Sequence, residues 1–298
     1  MAQPGNARAH RGTIFVENAS VVSQQEFPGR QYVLRLTAPE TAARATAGSF
    51  AHVSVDPSVP MRRPLSIMRV DRQAGWIELL YKIHGEGLAH LASRRAGDLV
   101  NLLGPIDQGF TPDPQRPRAL LIGGGVGIPP MVFLAETLRE RAAEGFQSLA
   151  ILGSELPFPF RARPSTIVVP GMPDGVIACM PLLDEWGVPS RLTTRAGFPG
   201  CHDGYVTDLA RLWLAQLDPT VRNQVQVFSC GPTPMLRAVA ALAREFDLPC
   251  QVSLEEYMAC AVGGCAGCAV EVQTPAGPAM KRVCVDGPVF DASTVFVN

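Results

Sequence analysis

Arg118-Ala119-Leu120-Leu121-Ile122-Gly123-Gly124-Gly125-Val126-Gly127-Ile128-Pro129-Pro130 is the stretch on which the fold turns. Residues 118–122 run apolar without alternation, the pattern of a strand covered on both faces in a parallel sheet. Glycines follow at once, and a helical pattern begins at Pro130. Strand, glycine turn and helix in that order form the setting in which backbone approaches a nucleotide phosphate. This is not the plain G-x-G-x-x-G fingerprint, because Pro130 stands where the last glycine of a Gly125-x-Gly127 reading would fall. A purely structural glycine turn stays open as the alternative.

Downstream, strand patterns at 149–152, 165–169, 224–228 and 250–254 alternate with helical patterns at 130–144, 207–216 and 233–246. That alternation predicts an α/β domain with a parallel sheet over 117–254; the segment 158–198 is otherwise unassigned. Cys230-Gly231-Pro232-Thr233-Pro234-Met235 repeats the strand-to-helix junction, so it faces the same crevice as the glycine turn.

Upstream of the breaker-rich linker 111–117, six short β-rich runs (13–22, 31–37, 51–55, 64–70, 76–83 and 99–103) predict an antiparallel barrel over 12–112, with one helix at 87–95. In it, Arg62-Arg63-Pro64-Leu65-Ser66-Ile67 places a cation three residues before a hydroxyl. A flavin dinucleotide needs both, one for its pyrophosphate and one near its ring; a solvated arginine is the plainer reading. Gly85-Glu86-Gly87 precedes the helix, where free amides can meet a phosphate or merely start the helix.

Eight cysteines complete the pattern. Cys179, Cys201, Cys230 and Cys250 are scattered, while Cys260, Cys265, Cys268 and Cys284 crowd the segment 255–298. Their C-x4-C-x2-C-x15-C spacing is that of plant-type 2Fe–2S centres. Gly263, Gly264 and Gly267 let the loop curl round a cluster. A four-cysteine zinc site is the alternative, but zinc usually takes two separated C-x2-C pairs. This segment has little apolar length for a core of its own, so it calls for a metal staple.

Composition bounds the rest. The 298 residues, 47% hydrophobic and 18% charged, can bury full cores. A net charge of −1 offers no footprint for nucleic acid. No apolar stretch reaches the ~20 residues of a membrane helix. Residues 1–11 are polar and carry no apolar signal region, so a reducing, cytoplasmic setting is expected. The five histidines are scattered, and no Ser–His–Asp or paired-carboxylate pattern suggests general acid–base chemistry.

Taken in order, Arg63–Ser66, Gly85–Gly87, 123–130 and Cys230–Met235 resemble the ferredoxin–NADP reductase superfamily. The cysteine motif followed by Val285-Asp286-Gly287-Pro288-Val289-Phe290 narrows the resemblance to the electron-transfer subunits of dihydroorotate dehydrogenase B. Ser253-Leu254-Glu255-Glu256 and Gly204-Tyr205-Val206-Thr207-Asp208 match as well, so the resemblance covers about 12–292. It implies that Arg63, Pro64, Leu65, Ser66, Gly85 and Gly87 bind FAD. Gly123, Gly124, Gly125, Gly127, Cys230 and Gly231 would bind NAD(H), with Ser66 and Cys230 at the hydride-transfer site. The four clustered cysteines would ligate the 2Fe–2S cluster. Electrons would pass between NAD, FAD, the cluster and an FMN-containing catalytic subunit that oxidises dihydroorotate in pyrimidine biosynthesis, within a heterotetramer. A reductase module serving another oxidoreductase, or a redox sensor, is the alternative. Two departures stand out: Leu88 replaces a Thr or Ser after Gly-x-Gly, and Thr194-Arg195-Ala196-Gly197 replaces an acidic stretch. Glu155 favours NAD over NADP, and Arg161 and Arg163 argue the other way.

Overall fold

A computed structural model describes residues 14–297, so the expected first strand begins outside the described residues at Thr13. Strands β1 (Phe15–Phe27), β2 (Gln31–Thr37), β3 (Phe50–Val53), β4 (Arg63–Asp71), β5 (Trp76–Lys82) and β6 (Leu99–Ile106) close into an antiparallel barrel of order β1-β2-β5-β4-β3-β6. Alternation sets the inward face: Leu34 and Leu36 of β2 and Ile77 and Leu79 of β5 are fully buried. Strand β1 runs longer than its sequence pattern because it pairs twice, with β6 over its first half and β2 over its second. A bulge near Val21 and Ser23 bends it between them.

The linker is polar but held: Gln251 and Gln226 accept the Thr111 and Asp113 amides, each at 2.9 Å. Beyond it come β7 (Arg118–Gly124), β8 (Gln147–Gly153), a small arm of β9 (Arg163–Pro164) and β10 (Ala178–Cys179), then β11 (Ser190–Thr194), β12 (His202–Asp203), β13 (Val225–Cys230) and β14 (Cys250–Ser253). The cysteine-rich segment adds a hairpin of β15 (Ala269–Thr274) and β16 (Gly277–Arg282), and β17 (Val289–Asp291). The large sheet has the order β12-β11-β8-β7-β13-β14-β17, parallel throughout except for antiparallel β17.

One expected strand is corrected. Residues 165–169 are not a strand, because Ser165 and Thr166 turn their hydroxyls onto the buried Asp184 carboxylate at 2.7 and 2.9 Å. The sheet position falls to β11, whose Arg191 interrupts the apolar pattern. That arginine is buried and donates to the carbonyls of Ser190 and Ile167, both at 2.7 Å.

Two cores run across the chain. One joins the barrel to helix Ile128–Glu140 and one face of the sheet. The other packs helices Val206–Gln216 and Thr233–Glu245 on the opposite face, together with Met258, Ala261, Cys268, Val283, Cys284 and Val285 of the cysteine-rich segment. That segment therefore borrows its apolar cover from the sheet. No described helix is long and apolar enough to cross a membrane.

The sharpest backbone approach lies where the two strand-to-helix junctions meet. A Cβ on Gly127 would collide with the Cys230 carbonyl and the Gly231 amide. Gly127→Ala is therefore expected to lower stability by about 1–3 kcal/mol, the usual cost of overpacking. Urea unfolding checks this, and an unchanged midpoint would contradict it.

Candidate functional site

The sheet register brings the sequence motifs to one edge. Gly123 pairs with Cys230, Cys230 with Ser253, Gly124 with Gly153, and Gly153 with Thr193. The carboxyl ends of five neighbouring strands thus share a rim, the place where open α/β sheets bind ligands. Facing it, a cleft of about 400 Å³ opens between barrel and sheet. Pro64, Leu65 and Ser66 form its barrel wall, Val126 comes from the glycine turn, and Ser253–Glu256 and Met258 close the far side.

Arg63 and Gly87 are brought into contact. A Cβ on Gly87 would lie 2.6 Å from Arg63 Nη2 and 3.0 Å from Cζ, so the guanidinium rests directly on the helix start and a side chain there would displace it. Arg63 Nη1 donates to the Met61 and Arg62 carbonyls at 2.6 and 3.2 Å, and no carboxylate pairs with it among the described residues. Helix Gly85–Ala92 begins beside it with no side-chain cap. A cation next to uncapped amides is an arrangement that can meet a phosphate. Gly85 opens onto free space there. Three residues along β4, the Ser66 hydroxyl is half-buried in the cleft with no partner among the described residues.

At the glycine turn, Gly123 and Gly124 end β7 against Met131 and Met235, while Gly125 faces open space. Pro129 and Pro130 carry no N–H, and the Ile128 amide already donates to the Gly125 carbonyl, so the amides of the turn itself are what remain to face an anion. Cys230 does not line the cleft: it is fully buried one layer behind it, with Gly231 following. Burial holds its thiol well above the usual range, and the nearby Glu255 carboxylate adds to this.

Sequence reading gave no role to Glu255. It lines the cleft with its side chain still exposed to solvent, and desolvation by the surrounding walls pushes its pKa up to about 7. A carboxyl poised near neutrality beside a ligand edge can hold or release a proton there. Its signal was available only in three dimensions, since a glutamate pair after a strand reads as a solvated face.

The four clustered cysteines belong with the other four as free thiols. They come in pairs. Cys265 donates its backbone amide to Cys260 Sγ at 3.4 Å, and Cys268 Sγ lies 3.3 Å from Cys284 Sγ. Among the described residues no three His, Cys, Asp or Glu side chains converge on one ion. Two irons take four cysteine ligands two by two, and this pairing fits a two-iron cluster. Backbone amides already point at the sulfurs: Gly264 donates to Cys260 Sγ at 3.3 Å and Gly267 to Cys265 Sγ at 3.4 Å. Ala261 and Ala266 take φ of 55° and 56° to aim them, a cost alanine rarely accepts. Against the effect of burial, amides from Val262, Cys265 and Gly264 bring Cys260 down to about 7. Burial first, and then the Cys268 thiol, push Cys284 up to about 12.

Residues 255–296 match the family described as the iron–sulfur cluster binding domain of dihydroorotate dehydrogenase B. A dihydroorotate dehydrogenase B (NAD(+)) electron transfer subunit from Bacillus caldolyticus is 34% identical over 285 residues, covering 94% of this chain and 98% of the relative. The chain belongs to the dihydroorotate dehydrogenase B electron-transfer subunit family. A second member, from Shouchella clausii, is 32% identical across 93% of this chain and 96% of its own length. Among solved structures, an NADH-dependent reduced ferredoxin-NADP oxidoreductase superposes with a TM-score of 0.74 at 24% identity, over 94% of this chain and 90% of that one. A ferredoxin NADP+ reductase from Neisseria gonorrhoeae gives 0.55 at 16% identity, over 78% and 91%. Both share the barrel-and-sheet fold that the family's sequence pattern implies.

The Glu255 shift carries a sign. Its carboxyl ionises at the ordinary 4.5 when unfolded and at about 7 in the fold, so the folded chain holds the extra proton between those values. Stability is therefore lost as pH rises through that window. Glu255→Gln should gain on the parent between about pH 5 and about pH 8, read as the difference in Tm at each pH. An equal difference at both would contradict the shift.

Proposed function

We propose that this chain is an oxidoreductase subunit that relays electrons between a nicotinamide dinucleotide and a catalytic partner subunit through FAD and a 2Fe–2S cluster. The observation that carries this reading is the shared cleft. Its walls come at once from the barrel strand 63–66, the glycine turn and the segment that leads into the cysteines. Met258 lines it, and Cys260 follows two residues later, so their Cα atoms stand at most ~7 Å apart. A flavin between a nicotinamide and a two-iron centre converts paired electrons into single ones, which neither neighbour does alone.

The chain's own residues do the holding. Arg63 and the amides of helix Gly85–Ala92 clamp the FAD pyrophosphate, a charge-assisted contact in a fixed fork. Pro64 and Leu65 give the ring an apolar wall, and Ser66 offers it a hydroxyl. Leu88 is buried against the cleft, so here the phosphate loses one side-chain donor and gains apolar cover. Gly123, Gly124, Gly125 and Gly127 let the dinucleotide approach the sheet edge. The neutral Cys230 thiol and Gly231 back the nicotinamide without adding charge beside it. Cys260, Cys265, Cys268 and Cys284 would hold the cluster, which would supply one-electron transfer.

On this reading the partner is the FMN-containing subunit that oxidises dihydroorotate to orotate, and the assembly is a cytoplasmic heterotetramer. The family membership supports the partner, and the exposure of Cys265 supports an outlet for electrons on the cluster side.

Two variants test the assignment. Arg63→Ala should weaken FAD binding about tenfold or more in fluorimetric titration, the loss of one charge-assisted contact. Equal affinity in a folded variant would remove Arg63 from the pyrophosphate site. Cys268→Ala should lose iron and sulfide while NADH still reduces the flavin and artificial dyes, because those sites lie upstream. Electron delivery to the partner subunit should stop. Stoichiometric zinc in the parent protein would overturn the relay.

A further inference from the structure

We propose that His52 is a positioning residue for the iron–sulfur centre: its imidazole N–H clasps the Met258 carbonyl and pins the entrance of the cysteine loop to the barrel. This rests on the proposed cluster at Cys260, Cys265, Cys268 and Cys284. His52 lies within β3, where it pairs with Pro64 of β4 and Leu103 of β6. Alternation along the strand puts Ala51 and Val53 in the barrel core and turns Phe50 and His52 to the opposite face. On that face Phe50 packs in one core with Met258, Ala261, Cys268 and Cys284.

His52 is fully buried, yet neither ring nitrogen has a hydrogen-bond partner among the described residues. Such orphans are rare in a fold, because an unpaired buried polar group carries its full desolvation cost. The main-chain groups of Met258 and Arg62 face the ring and favour its charged form, as acceptors do, so these are carbonyls. The Arg62 carbonyl already accepts Arg63 Nη1 at 3.2 Å. Met258 is buried as well, and its carbonyl accepts no main-chain amide among the described residues. A donor without an acceptor thus faces an acceptor without a donor, across the seam between the barrel and the run into Cys260. Burial first, and then the Arg62 guanidinium, bring the imidazole down to about 4, so at neutral pH it is uncharged and has a single N–H. The guanidinium itself is occupied elsewhere, donating to the His52 and Asn101 carbonyls at 3.4 and 3.1 Å.

A buried histidine is more commonly a packing residue whose ring fills space. Leucine fills the same space as well or better, since it removes an unpaired polar group; a clasp needs a donor. The position gives the clasp its task. Met258 lines the cleft and stands two residues before Cys260, so fixing its carbonyl holds the cleft wall and the first cysteine together. His52 does not line the cleft and acts through Met258. A partner one layer outside the ligands governs how firmly a metal is held.

The holoprotein is compared with His52→Leu, His52→Asn and His52→Gln. Leucine has no donor, while asparagine and glutamine place an amide N–H near the positions of Nδ1 and Nε2. Iron release to a chelator and hydrogen–deuterium exchange over residues 254–262 are the readouts. His52→Leu should release iron about tenfold faster or more, the usual effect of losing an outer partner of a metal site. It should also exchange faster over 254–262, with FAD affinity unchanged. Either the asparagine or the glutamine variant should restore both. If His52→Leu does not melt cooperatively, His52→Val takes its place. Parental iron release and exchange in the apolar variant, with Tm equal or higher, would overturn the clasp in favour of packing. So would faster release that neither amide restores. Weakened FAD binding with unchanged iron release would overturn it too, by giving the ring to the flavin. If the parent holds no iron, the relay reading fails, and the exchange pattern alone decides the clasp.

Discussion

Electrons move between sites only when the sites are close, and in this chain closeness is enforced covalently. The run from Ser253 to Cys260 leaves the large sheet, forms a wall of the cleft and enters the cysteine loop without a break. After the loop, β17 returns to pair beside β14, with Ser253 opposite Val289. The cysteine-rich segment is thus held at both ends on one strand edge, and the cleft cannot open far without disturbing the first cysteine. The barrel joins the same knot: the Val289 amide donates to the Gln108 carbonyl at 3.3 Å, and Gln108 Nε2 donates to the Val285 carbonyl at 2.9 Å.

Packing reinforces that arrangement. The barrel and the sheet share a core through helix Ile128–Glu140, and at the periphery Gln31 donates to the Pro157 carbonyl at 2.7 Å. Because apolar burial dominates folding, a core continuous across the parts fixes their orientation better than surface ion pairs do. The Arg69–Glu136 pair at 3.6 Å is a minor addition. The cysteine-rich segment contributes little area of its own, and the sheet's second core supplies its cover. Metal ligation then adds to a site whose sulfurs are already paired and whose amides already face them.

Much of this was legible in the residues. Barrel strands announced themselves by alternation, parallel strands by short apolar runs, and the cluster by cysteine spacing. Two things were not legible, for physical reasons. Strand β11 carries Arg191, whose charge hides a buried strand until its carbonyl partners Ser190 and Ile167 are seen. Glu255 acquires its shift from desolvation where the cleft walls meet, which the sequence does not display. Of the three glycines in the cysteine loop only Gly263 takes the left-handed conformation; Ala261 and Ala266 make the other left-handed turns, which sequence assigns to glycine by default. The contact of Arg63 with Gly87 likewise joins two motifs that looked weak apart, and only their meeting gives them a common task.

The relay is tested most directly by adding NADH to the anaerobic holoprotein and following flavin absorbance together with electron paramagnetic resonance at low temperature. The flavin should bleach, and the signal of a one-electron-reduced two-iron centre should follow, with two irons per chain. A flavin that bleaches while a dithionite-reducible cluster stays oxidised would contradict the account.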